Sequence, residues 1–269
     1  MKINWFSPLL PSRTAAADYS ALILPVLGKH ADVVAWTDRA ACESSLEKSV
    51  PVRCYTTHRV PWADLNRGDV SIFNIGKEAL CHYAPWFVSQ RHPGIVILHD
   101  TALQNLFLPL YREHLRDRNA YCDKMAFYYG PQGREYAAAV WEGRITPDET
   151  DRRFPLTPLA LEGARGVIVR TPRVFRELKG ENRWPVCCLS DHEPFLHRTK
   201  AWRGMPDQHR ASMDWAKLIV RFAEEVRSFH PAAADYLTVR CAAEMSVWSQ
   251  TPVLHTAMNK LGQEIMKLS

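Results

Sequence analysis

The sequence contains no Cys-x-x-Cys, and its seven cysteines, Cys42, Cys54, Cys81, Cys122, Cys187, Cys188 and Cys241, are odd in number. Zinc-ribbon spacing is therefore absent, no metal site is expected, and a disulfide framework is disfavoured. A reducing cytosol is the expected compartment. No apolar run approaches the ~20 residues that a helical membrane span needs. Met1-Lys2-Ile3-Asn4-Trp5 opens no long apolar stretch, so neither a transmembrane segment nor a signal peptide is expected. The chain also lacks internal repeats, low-complexity tracts and any nucleic-acid-binding motif to go with its net charge of +5. Nucleic acid is accordingly not an expected partner.

What is present is an ordinary globular composition, 46% apolar and 23% charged over 269 residues, enough to enclose a sizeable core. The basic residues are scattered except at Arg112, His114, Arg116 and Arg118. That group reads either as a solvated helix face or as a surface for an anionic lipid or glycan carrier. The second reading leaves peripheral attachment at the inner membrane face open.

Compact apolar runs recur at Lys2–Phe6, Asp32–Trp36, Val70–Asn74, Gly94–Leu98, Gly166–Val169 and Val186–Leu189. Their continuity, rather than alternation, predicts strands covered on both faces. Helical patterns lie between them at Ala15–Leu27, Glu78–Gln90, Ala102–Leu115 and Pro172–Leu178. The alternation predicts an α/β fold with a Rossmann-like parallel sheet. Residues 119–162 interrupt it as a helical insertion, within which Thr146-Pro147-Asp148-Glu149 has the form of a capping box. Residues 1–189 form the expected Rossmann-like domain, and 190–269 a linker and C-terminal helical tail. Three helices are expected in that tail, Ser212–Phe229, Ala232–Trp248 and Pro252–Leu268. Trp215, Leu218, Ile219, Phe222 and Val226 form the apolar face of the first.

His99 and Asp100 stand at the C-terminal end of a predicted parallel strand, where ligand sites of open α/β sheets gather. A histidine there can hydrogen-bond a sugar or phosphate or move a proton. Asp100 is also placed to cap the following helix. Arg13 and Asp18 flank the first strand–helix turn. Arg13 is suited to a forked contact with an anion, Asp18 to the first turn of a helix, and Tyr19 to the core. His82 lies on a predicted helix. Tyr129-Gly130 and Arg134 read as cleft residues or as a helix break with a surface arginine. Asp191-His192-Glu193 lacks zinc-ligand spacing and reads as a loop. Cys187 and Cys188 on a strand point to opposite faces and are expected to be buried and inert. The nine tryptophans are expected to serve packing, with Trp202 and Trp215 as alternative candidates for a partner surface.

Five segments, taken in order, resemble one family. They are Phe6-Ser7-Pro8 through Asp18-Tyr19-Ser20; Phe73-Asn74-Ile75-Gly76 followed by His82; Pro93-Gly94-Ile95-Val96-Ile97-Leu98-His99-Asp100; Tyr129-Gly130 with Gly133-Arg134; and Gly166-Val167-Ile168-Val169-Arg170-Thr171. The ordered set resembles the N-terminal, acceptor-side domain of bacterial family 4 retaining glycosyltransferases of the GT-B type. The resemblance implies a role in surface-polysaccharide or glycoconjugate assembly, with His99 as the catalytic candidate near the transferred sugar. It makes Arg13, Asp18, Asn74, His82, Asp100, Tyr129 and Arg134 acceptor- or sugar-binding candidates, and it implies no metal. Three departures stand against full activity. Thr14-Ala15-Ala16 occupies the place of the family's small first-loop residue, usually Gly, and Lys77 replaces an Asn. No two glutamates lie eight positions apart, as the donor domain of such enzymes requires, and the stretch after Leu189 is too short for that domain. Two functions are expected from this. One is an acceptor-side half whose sugar-nucleotide site is completed by a partner glycosyltransferase, with a glycan or lipid-linked acceptor. The other is a non-catalytic module that binds a partner enzyme or glycan. Self-association is a further possibility.

Overall fold

The computed structural model describes residues 1–39, 44–181, 183–189 and 206–229. Seven strands form one parallel sheet: β1 (Lys2–Phe6), β2 (Asp32–Thr37), β3 (Val52–Cys54), β4 (Val70–Ile75), β5 (Gly94–Leu98), β6 (Ala164–Val169) and β7 (Val186–Cys188). Their spatial order is β3-β2-β1-β4-β5-β6-β7. The predicted Rossmann-like α/β fold is thus present, and six strands fall on the expected segments. The three-residue β3 was not expected, because its Val-Arg-Cys is too short to show a period and pairs only with β2.

Side chains alternate between two cores. Phe73, Ile75, Val96, Leu98, Val167 and Val169 enter one, while Ile72, Ile95, Ile97 and Ile168 enter the other. Both faces are dry, which explains why the strands read as continuous apolar runs. One face is covered by α1 (Ala15–Leu27), whose start is capped by Thr14 accepting from the Ala17 amide at 3.1 Å. The Trp5 indole donates to Ser20 Oγ and Ser20 to Ser7 Oγ, which fastens α1 to the end of β1. Two short helices, α2 (Ser44–Glu47) and α3 (Trp62–Leu65), flank the β3 side.

The other face is built by α4 (Ala79–Ser89), α5 (Gln104–Pro109) and a π-helical turn at Leu110–Leu115. The insertion follows as α6 (Arg118–Trp141), α7 (Pro147–Asp151) and α8 (Thr157–Ala160), and α9 (Pro172–Glu181) comes after β6. Helix α6 is kinked at Gly130, whose φ of 70° is left-handed, just before Pro131. The Thr146–Glu149 capping box forms as predicted. In the basic group, Arg112 donates to the Trp141 carbonyl and Arg118 pairs with Glu142 at 2.5 Å, so part of that charge closes the insertion on itself.

The final described helix, α10 (Pro206–Phe229), returns to pack on α1 and the sheet. Trp215, Ala216, Ile219, Phe222, Ala223 and Val226 are buried there. One expectation is corrected, because Leu218 is 43% exposed; Trp215 is buried against Tyr19, as expected for packing and not for a partner surface. An i+3 step from Trp215 swings Leu218 off the narrow stripe that the sheet covers. Trp202, Asp191-His192-Glu193 and the expected helices Ala232–Trp248 and Pro252–Leu268 lie outside the described residues. Helix α10 can approach because β6 carries Gly166: a Cβ there would stand 2.7 Å from Val226 Cγ2 and 3.2 Å from the Phe222 ring. Gly166→Val is expected to push α10 outward and cost about 1–3 kcal/mol, measured as a lower denaturant midpoint.

Cys187 and Cys188 do face opposite cores, but both are only partly buried. Burial pushes the Cys187 thiol up to about 11, which keeps it unreactive near neutral pH. Among the described residues, no group of three His, Cys, Asp or Glu could hold a metal ion, and no helix is long and apolar enough to cross a membrane.

Candidate functional site at the carboxyl ends of the strands

The strand order reverses direction between β1 and β4, so the loops leaving those two strands diverge to opposite faces, the place where open α/β sheets gather ligands. The polar residues of the sheet end converge there. Asn74, second to last in β4, is fully buried. Its amide nitrogen donates to the Phe6 carbonyl at 3.0 Å, which orients the group. The amide oxygen therefore accepts, and its partner at 2.9 Å is His99 Nε2. His99 must then carry its proton on Nε2, leaving Nδ1 as a bare lone pair. That Nδ1 is buried and has no hydrogen-bond partner among the described residues. The backbone carbonyl of Asn74 accepts a separate bond, from His82 Nδ1 at 3.1 Å. A carbonyl cannot donate, so His82 is protonated there.

His82 Nε2 then faces Glu78 Oε2 at 3.4 Å, one helical turn back. That contact leads the causes holding the Glu78 carboxyl below its ordinary range. Gly76 lies beneath this pair. A Cβ at Gly76 would meet His82 Nε2 at 2.7 Å and Asp100 Oδ2 at 3.2 Å. The loop after β2 closes the far side. Arg39 donates to the Leu80 carbonyl at 3.3 Å, and burial raises the carboxyl of Asp38, against the opposing charges of Arg39 and His82.

Burial first, then the charges of His82 and Arg170, lower the His99 pKa to about 3. The imidazole is then neutral at physiological pH, with the Nδ1 lone pair as its open hydrogen-bond acceptor. Tyr19 meets the ring edge-on with centroids 5.5 Å apart, and the Arg170 guanidinium lies 5.2 Å from the Tyr19 centroid.

Asn74, His82 and His99 are thus brought together, with Asp100 alongside. Asp100 does not cap the next helix, as expected, but accepts from the Lys77 amide at 3.2 Å and ties the β4 and β5 loops together. Three residues separate it from α5, whose first amide, Gln104 N, is satisfied at 2.9 Å by Asp151 from the insertion. Arg13 and Asp18 are exposed, and neither joins the His99 cluster among the described residues. Tyr129 is apart from it too, in a cleft of ≈ 690 Å³ bounded by the insertion and α9. Arg134 is a surface residue paired with Asp123 at 2.6 Å and does not line that cleft. Its side chain instead reaches along α6 to Asp123. Sequence reasoning missed Glu78, Asp38 and Asp151. The i,i+4 spacing of Glu78 and His82 was a usable signal, whereas Asp151 gave none.

The chain matches no protein-family model and no curated protein.

Proposed function

We propose that this chain is a glycosyltransferase-like, acceptor-side module of polysaccharide or glycoconjugate assembly. In this reading it holds a glycan or lipid-linked acceptor between the β1 and β4 loops, and the sugar-nucleotide site comes from a partner chain. The observation that carries the reading is convergence. Asn74, Gly76, His82 and His99, drawn from two separate segments of the resemblance, meet in one hydrogen-bonded cluster at the switch point of the sheet. His99 Nδ1 supplies the unpartnered acceptor that a sugar hydroxyl would satisfy. Ala15 and Ala16, at the place where the resembled family carries a small first-loop residue, usually Gly, favour a second reading, a module that binds a glycan or partner glycosyltransferase without catalysing transfer.

A thermal-shift titration with oligosaccharides, sugar nucleotides and free nucleotides separates these readings, because binding to the native state raises the melting temperature. A glycan is expected to raise it and sugar nucleotides alone to leave it unchanged. Gly76→Val, which drives a side chain into His82 and Asp100, should abolish the glycan shift. Sugar transfer by the purified chain alone would overturn the need for a partner. A flat glycan series would remove the acceptor assignment under both readings.

A further inference from the structure

The cleft beside the insertion has a chemistry of its own. Its walls include Tyr129 at the kink of α6, Asp148, Asp151 and Arg152 at α7, and Arg173, Glu177 and Glu181 on α9. Asp151 is 8% exposed. Its Oδ1 is occupied by the Gln104 amide, while Oδ2 is buried with no hydrogen-bond partner among the described residues. A buried carboxylate oxygen left unpaired is costly. Burial, reinforced by the charge of Asp148, pushes the Asp151 carboxyl up to about 7, so near neutral pH the group is held between its two forms.

The surroundings set the sign of what would complete it. Asp148, Asp151, Glu177 and Glu181 face two arginines, one of which, Arg173, already lies 3.6 Å from Glu177. An anion is repelled by that acidic excess, and a cation is drawn to it. Tyr129 adds a second handle. Its hydroxyl accepts from the Leu156 amide at 2.8 Å, and burial raises its pKa, so it keeps a proton to donate. Its ring, supported by Phe154 at a centroid distance of 5.1 Å, offers an apolar wall. A cleft of ≈ 690 Å³ suits a ligand of sugar size.

We propose that this cleft binds an amino sugar with a free ammonium group, the ammonium on Asp151 Oδ2 and a ring hydroxyl on the Tyr129 hydroxyl. An ammonium supplies both the missing donors and the missing charge, whereas a neutral sugar supplies only the donors. The His99 cluster does not line this cleft, so the proposal stands apart from the sugar-transfer reading.

The test is calorimetric titration of the full chain with D-glucosamine, N-acetyl-D-glucosamine and D-glucose. D-glucosamine is expected to bind at least ~10-fold more tightly than the other two, a difference of about 1.4 kcal/mol. Near pH 6 its binding should release protons, read from the dependence of the heat on buffer ionisation, because the ammonium drives Asp151 to ionise. Asp151→Asn keeps the oxygen that receives the Gln104 amide and should bring D-glucosamine down to the affinity of D-glucose. Glu181→Gln should weaken it a few-fold. Equal affinity for the three sugars, no D-glucosamine binding at millimolar concentration, or an unchanged affinity in Asp151→Asn would each overturn the proposal. If that variant does not fold, selectivity and proton release in the natural chain still decide it.

Discussion

Asn74→Leu should destabilise the protein by about 3–5 kcal/mol, a loss on the scale of a broken buried polar network. Leucine keeps the branched outline of asparagine, but its methyl groups are bulkier, so overpacking at this buried site adds to the cost. The larger loss is in pairing: the Phe6 carbonyl loses its donor and His99 Nε2 loses its acceptor, both at the buried end of the sheet. The His82 bond, made to the Asn74 backbone, survives. Urea unfolding should show a large fall in midpoint with an unchanged slope. Asn74→Asp separates geometry from charge. It keeps an acceptor for His99, cannot donate to Phe6, and places an anion beside the imidazole, so the His99 pKa should climb, as followed by NMR. A change below about 1 kcal/mol in Asn74→Leu would mean that the cluster is hydrated and not the closed network described.

Between pH 6.5 and pH 3, His99 should account for a loss of stability on the order of 2–4 kcal/mol. The sign follows from linkage. Its pKa falls from 6.5 to about 3 on folding, so in that window the unfolded chain binds a proton that the native state refuses. The stability tied to neutral His99 is fully present above pH 6.5 and is lost as the pH falls toward 3. Asp151 acts with the opposite sign: its pKa rises from 3.8 to about 7, so its contribution is full below pH 3.8 and disappears as the pH rises through 7. The two slopes oppose each other over much of the same range. The observable is therefore the difference between the natural chain and His99→Gln, from denaturation curves at about pH 7.5 and about pH 4. Relative to the natural chain, His99→Gln should gain stability on acidification. A constant difference across that range would show that His99 takes up its proton in the folded state.

The division between what could be read from the chain and what could not follows the range of the interactions. Strands such as Gly94–Leu98 and Val70–Ile75 were legible because burial on both faces demands an unbroken apolar run, and that is a local property of composition. The Thr146 capping box and the start of α1 were legible for the same reason: donor and acceptor lie within one turn. His99 could be placed at a strand end from the sequence, and its position in a polar cluster follows from that placement.

Its role could not be read. The proton position of His99 depends on an amide 25 residues away, itself oriented by a carbonyl in β1, and its neutrality depends on burial, with Tyr19 of α1 packed against the ring. Asp151, 47 residues from the Gln104 amide that it satisfies, gave no signal of that pairing in the sequence. The sequence by itself determined the parallel α/β layer and which residues stand at its carboxyl edge, because periodicity and capping act over a few residues. Only the tertiary structure decided which of those residues are desolvated, which hold a proton and which carboxylate is left without a partner, because desolvation is set by whatever chain packs above a group, however distant in sequence.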